Sequence, residues 1–186
     1  VRVSLPYTLV FAVFTGNNQL GSNECFFRNE PLETLDDELL YPGLLNCSAV
    51  NEPGQEKEGR PLSWICTQHL NYNNIPAEKN AQQRELLTRL LHCLNETGFN
   101  RSSENHEGSS WFEKSSKAIP QIKTIGEWEE QTKKDSMFAI DVPWLKTGFS
   151  VRQMIERLFK NHNAQGSKFA TASDIARTVF NIQRAR

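Results

Sequence analysis

A chain of 186 residues in which 21 basic and 22 acidic side chains nearly cancel has no single-sign field with which to hold nucleic acid or an anionic membrane surface. It is long enough to bury a core without staples, which makes it one large or two small domains. A hydrophobic fraction of 38% and a mean hydropathy of -0.57 describe a polar, foldable chain, and no stretch approaches the length of a membrane span.

The first expected elements are strands. Val1, Val3 and Leu5 alternate with Arg2 and Ser4, which predicts a half-buried strand, and Tyr7 to Phe14 predicts a more buried, β-branched and aromatic one after Pro6. The run from Leu5 to Phe14 also resembles the apolar part of a secretory leader, but the alternation ahead of it favours sheet. Thr15-Gly16-Asn17-Asn18 reads as a turn and Cys25-Phe26-Phe27 as a short strand. Leu35 to Leu40 reads as a helical turn stopped by Pro42-Gly43, and residues 49 to 61, charged and rich in Pro and Gly, read as an exposed loop.

Leu62 to Cys66 returns to apolar residues, and a helix follows from Ala77 to about Glu96. Leu86, Leu87, Leu90, Leu91 and Leu94 recur on one face of it, Cys93 lies on the edge of that face, Pro76 stands near the start and Gly98 just past the end. Between Ser110 and Gly148 the chain carries Trp111, Trp128 and Trp144 with Ile119, Ile122 and Ile125, which suits short helix or strand pieces joined by loop. Within it, Glu127, Glu129 and Glu130 before Lys133 and Lys134 form a solvated helix face rather than an acid/base pair. Ser150-Val151-Arg152-Gln153 has the form of a capping box ahead of the stripe Val151, Met154, Ile155, Leu158 and Phe159. A matching stripe of Ile175, Ala176, Val179, Phe180 and Ile182 predicts a second helix from about Ser173, folded back on the first as an antiparallel pair.

All four cysteines (Cys25, Cys47, Cys66, Cys93) and all three Asn-x-Ser/Thr acceptors (Asn46, Asn95, Asn100) precede residue 103. An even cysteine count beside sugar acceptors points to an oxidising compartment, with two disulfides in the front half and three possible pairings that spacing does not separate. Three acceptors are close to the number chance supplies, so position matters more than count: Asn95 and Asn100 flank Gly98 in a polar run where a sugar stays in water. The alternative is a cytosolic chain with four thiols and idle acceptors.

Cys66-Thr67-Gln68-His69 together with His92-Cys93 supplies four zinc-type ligands. Neighbours on a helix diverge by about 100°, so His92 and Cys93 do not readily converge on one ion, and neither a metal nor another cofactor is expected. Cys66 near His69 is the one cheap version of a thiolate and imidazole pair. The chain has no His-Glu-x-x-His, Gly-x-Ser-x-Gly, phosphate-cradling glycine loop or calcium loop.

The expected fold is therefore α+β, with a disulfide-stapled, sheet-containing part over 1–110 and a mainly helical part over 111–186, abutting or continuous. The expected function is non-enzymatic: an extracellular glycoprotein that recognises another protein, as ligand, receptor ectodomain or envelope-type subunit. Four Trp and eleven Phe supply interface anchors as well as core. A secreted or lysosomal hydrolase with a sparse site and a cytosolic helical adaptor are the alternatives.

Overall fold

The computed structural model describes residues 2–49, 60–96 and 109–163, with backbone alone for 161–163. The fold is α+β. A hairpin of β1 (Tyr7–Phe14) and β2 (Leu20–Arg28) pairs antiparallel from Tyr7↔Arg28 to Phe14↔Leu20, with an irregularity between Val13 and Phe14. The turn between them closes through Asn18 N–H to Thr15 O at 2.9 Å, with Asn18 at φ 58, a left-handed conformation that asparagine tolerates better than most residues.

The strand expected ahead of Pro6 does not form. Residues 2–6 instead run beside α3 (Ile125–Lys134), which satisfies their backbone with side chains: Ser4 N–H donates to Thr132 Oγ1 at 2.9 Å, and the Trp128 indole donates to Ser4 O at 3.1 Å. Val3 and Leu5 pack on a core there, so their alternation is real burial without sheet pairing.

The helical turn expected over Leu35 to Leu40 is also corrected. The Asp37 carboxylate accepts from Glu33 N–H, Thr34 N–H and Thr34 Oγ1, which closes a tight local turn over 33–37. Arg28 pairs with Asp37 at 3.0 Å and donates to Glu38 O at 2.9 Å, and from there the chain is extended as β3 (Glu38–Leu40). β3 lies between β2 and β6 (Lys146–Ser150) in a four-stranded sheet of order β1-β2-β3-β6. The sheet thus takes strands from both sides of residue 110. A second, two-stranded sheet joins β4 (Cys47–Ser48) to β5 (Trp64–Ile65).

α1 (Lys79–Glu96) follows the expected bounds closely, burying Leu86, Leu90, Cys93 and Leu94 while Leu91 faces out. The tryptophan-rich stretch resolves into α2 (Trp111–Ala118), α3 and two short 3-10 turns, Pro120–Ile122 and Phe138–Ile140. Ser110 and Thr124 cap the two helices by accepting from the backbone N–H three residues on. α4 (Val151–Asn163) begins with the expected capping box: Ser150 N–H donates to Gln153 Oε1 at 2.9 Å, and Gln153 N–H returns to Ser150 Oγ at 3.3 Å. Ser150→Ala should cost about 1 kcal/mol in a urea unfolding series. The loop over 50–59, the stretch holding Asn100, and the expected helix from Ser173 with its hairpin lie outside the described residues. Among the described residues no helix is long and apolar enough to cross a membrane.

Two apolar clusters hold the elements together. One gathers Phe26, Leu39, Leu90, Trp111, Met154 and Leu158, so α4 lays its stripe against the sheet; the other gathers Phe27, Ile119, Ile122, Trp128, Val142 and Trp144. Three of the four tryptophans are therefore core residues, and Trp64 is half-buried.

Candidate functional site

Two features stand out: an apolar cleft on one side of the molecule and the cysteine neighbourhood on the small sheet. The cleft, of about 520 Å³, runs between the edge strand β1 and α4. Its walls are consecutive β1 residues from Leu9 to Phe14, Leu32 and Leu35, and the α4 residues Val151, Ile155, Leu158 and Phe159. Because successive strand side chains alternate, both faces of β1 contribute, and the cleft wraps the strand's edge. No titratable side chain lines it, so it can bury apolar groups but cannot move a proton. Among the described residues β1 pairs only with β2, which leaves the N–H and C=O groups of its outer edge without a strand partner there. The apolar run over 7–14 was legible in the sequence, but its position at a sheet edge beside the α4 stripe was not.

The four cysteines are buried and gathered around β4 and β5, and in this structure they are in the reduced form, so the expected staple is not shown. Cys25 lies on β2 and donates its N–H to Ser63 O at 3.0 Å; Cys47 lies on β4, paired with Ile65. Cys66 follows β5 and donates its N–H to Asn46 O at 2.8 Å. Cys93 comes from α1, and its carbonyl accepts from Asn46 Nδ2 at 3.0 Å. Burial, then the hydrogen bond that the Cys47 thiol gives to the neighbouring Cys25, pushes Cys47 well above its ordinary range. Burial, then the nearby Cys66 thiol, raises Cys93.

The three expected sugar acceptors part company. Asn46 is buried, and its Nδ2, the atom a glycan would occupy, donates to both Cys93 O and Leu94 O at 3.0 and 3.2 Å. A sugar there is incompatible with this packing, so Asn46 is corrected from acceptor to structural bridge. Asn95 sits exposed near the end of α1, with Nδ2 donating to Leu91 O at 2.9 Å, and Asn100 lies outside the described residues.

His69 is exposed whereas Cys66 is buried, and His92 points outward to Glu96 at 3.1 Å whereas Cys93 points inward. His92 and Cys93 diverge as neighbours on a helix do, and among the described residues no group of three or more His, Cys, Asp or Glu converges.

Sequence reasoning missed Asn23 and Glu24, the polar centre of this neighbourhood. Asn23 Oδ1 accepts from Ile65 N–H at 2.9 Å, and one carboxylate oxygen of Glu24 accepts from Leu62 and Ser63 N–H at 2.6 and 3.0 Å. These bonds tie β2 to β5 through side chains. Burial is the main reason that the Glu24 pKa rises to about 7, only partly offset by the two N–H donors and by Arg157. The available signal was two consecutive polar residues beside Cys25-Phe26-Phe27, a run apolar on both faces. In comparisons with known protein families, curated proteins and solved structures, the chain matches none.

Proposed function

We propose that the protein is an extracellular recognition domain that binds another protein, taking one extended apolar segment of that partner alongside β1 as a fifth strand. The observation that carries this is the pairing of two things in one place: a long edge strand without a second neighbour among the described residues, and an apolar cleft flanking it. A helix laid in the cleft would bury apolar side chains but leave the strand's outer amides unanswered. An extended segment answers both, with backbone hydrogen bonds for affinity and alternate side chains in the cleft for selectivity. A long apolar edge is otherwise an aggregation hazard, which native chains blunt with charges or proline; β1 has neither between Tyr7 and Phe14. The oxidising setting is supported by cysteines gathered as facing pairs and by the exposed acceptor Asn95. The hydrolase alternative finds no support in a cleft without proton-transfer groups.

The test uses the full chain and a labelled eight-residue peptide of alternating Val and Thr as probe. Alternate β1 amides should exchange rapidly with solvent in the chain alone and become protected when the peptide is bound. Phe159→Arg, which puts a charge in the cleft, should weaken peptide binding by at least about tenfold, since an unpaired charge in an apolar site costs well over 1.4 kcal/mol. Slow exchange at every β1 amide without peptide would sink the proposal. Sedimentation would then tell whether a second copy or the chain itself covers the edge.

A further inference from the structure

The cysteine neighbourhood carries a second and independent assignment, because the small sheet sorts the four thiols by face. In the β4–β5 pair Cys47 stands opposite Ile65, so their side chains share one face. One residue along each strand, Asn46 and Cys66 share the other face, with their backbones joined by the 2.8 Å bond from Cys66 N–H to Asn46 O. Cys25 belongs to the Ile65 face: its side chain is hydrogen-bonded to the Cys47 thiol, and Cys25, Cys47 and Ile65 all sit in the same apolar cluster. Cys93 belongs to the Asn46 face, since the Asn46 amide reaches from that face to the Cys93 carbonyl. Cys66 and Cys93 both stand outside the cluster that holds Cys25 and Cys47. We infer that Cys25 is bonded to Cys47 and Cys66 to Cys93, as two disulfides on opposite faces of the small sheet.

The two other pairings require crossing that sheet. Pairing Cys25 with Cys66 and Cys47 with Cys93, or Cys25 with Cys93 and Cys47 with Cys66, would in every bridge join a cysteine of one face to a cysteine of the other. In the assigned pattern the first bridge fastens β4 to the large sheet and the second fastens the end of β5 to α1. Both add a covalent link to loops that are also held by side-chain hydrogen bonds through Asn23, Glu24 and Asn46.

Each bridge forms one S–S bond and breaks two S–H bonds. The two electrons and two protons pass to a disulfide oxidant, either a small-molecule disulfide or the active disulfide of an oxidoreductase, which leaves as two thiols. The attacking species is a thiolate, and burial holds Cys47 and Cys93 in the thiol form once the core has closed. Exchange therefore takes place during folding, not after it.

The assignment does not depend on the β1 cleft, and its test reads no binding. The full chain is folded in a glutathione redox buffer, denatured in acid with alkylating reagent, and digested at low pH, where exchange is arrested. Oxidised protein should weigh about 4 Da less than reduced protein, with linked peptides containing Cys25 with Cys47 and Cys66 with Cys93. Cys25→Ser with Cys47→Ser should keep the second bridge in full, and Cys66→Ser with Cys93→Ser the first. The mixed pair Cys25→Ser with Cys66→Ser should leave two alkylatable thiols, Cys47 and Cys93. Linked peptides of any other pairing, or four alkylatable cysteines in the oxidatively folded chain, overturn the assignment.

Discussion

Trp111→Ala should remove about 3 to 5 kcal/mol of folding stability, a large share of the roughly 5 to 15 kcal/mol that a domain possesses. Trp111 is fully buried at the start of α2, its ring stacked on Tyr41 with centroids 3.7 Å apart and 17° between planes. Its indole N–H donates to Leu62 O at 3.0 Å, so one side chain fixes α2, the segment that leads into β5, and the segment after β3. Truncation opens a cavity among rigid neighbours and takes a donor from Leu62. Trp111→Phe keeps most of the stacking and loses the hydrogen bond, for which about 1 to 2 kcal/mol is expected. Urea unfolding followed by circular dichroism separates the two; a loss under about 1 kcal/mol for the alanine variant would show that the pocket closes over the gap.

Glu24→Gln should change the pH profile of stability more than any other single substitution. The carboxyl titrates near 7 in the folded chain against an ordinary 4.5, so between those values the native state holds a proton that the unfolded state has released. Stability from this group is fully present below pH 4.5 and is lost as pH rises through 7, a swing of about 3 kcal/mol at 1.36 kcal/mol per unit. Asp36 and Asp37 act in the opposite direction. A hydrogen bond from Arg152 holds Asp36 below its usual range, and one from the Thr34 hydroxyl does the same for Asp37, so their contribution is lost in acid. Glu24 thus lowers stability as pH rises from 4.5 through 7, while the two aspartates lower it as pH falls into the acid range. Glutamine keeps an acceptor oxygen for Leu62 and Ser63 N–H, because a single Glu24 oxygen already takes both. The variant should match the native chain at pH 5, exceed it at pH 7.5, and show a flat melting temperature between. An unchanged slope across that window would mean that Glu24 is ionised throughout.

Elements that announce themselves locally were legible in the sequence. The capping box at Ser150 and Gln153, the stripe of α4, the leucine face of α1 and the β1 run all depend on residues within a few positions of one another. What was not legible depends on distant partners. Val1 to Leu5 alternates like a strand, yet Ser4 finds its hydrogen bonds on α3, more than a hundred residues away. Leu35 to Leu40 has helical spacing, yet β3 forms because Arg28 and β6 offer its backbone a better set of partners. The sequence treats the four cysteines as one group, and the facts that sort them by face lie in the β4–β5 register and in the Asn46 amide. Asn46 itself matches the acceptor pattern as well as Asn95 does, and only burial distinguishes the two.

Phe26 meets Phe11 at 5.8 Å in one cluster, while Phe27, its neighbour, meets Trp144 at 4.9 Å in the other. β2 is thus a wall shared by two rooms, with one phenylalanine hung on each side. A hairpin that zips one residue out of step presents each ring to the wrong room. Neither room can then be furnished, and the error is repaired only by unzipping the whole hairpin. Assembly of the two halves is coupled through this one decision, so refolding should proceed as a single event whichever half is watched.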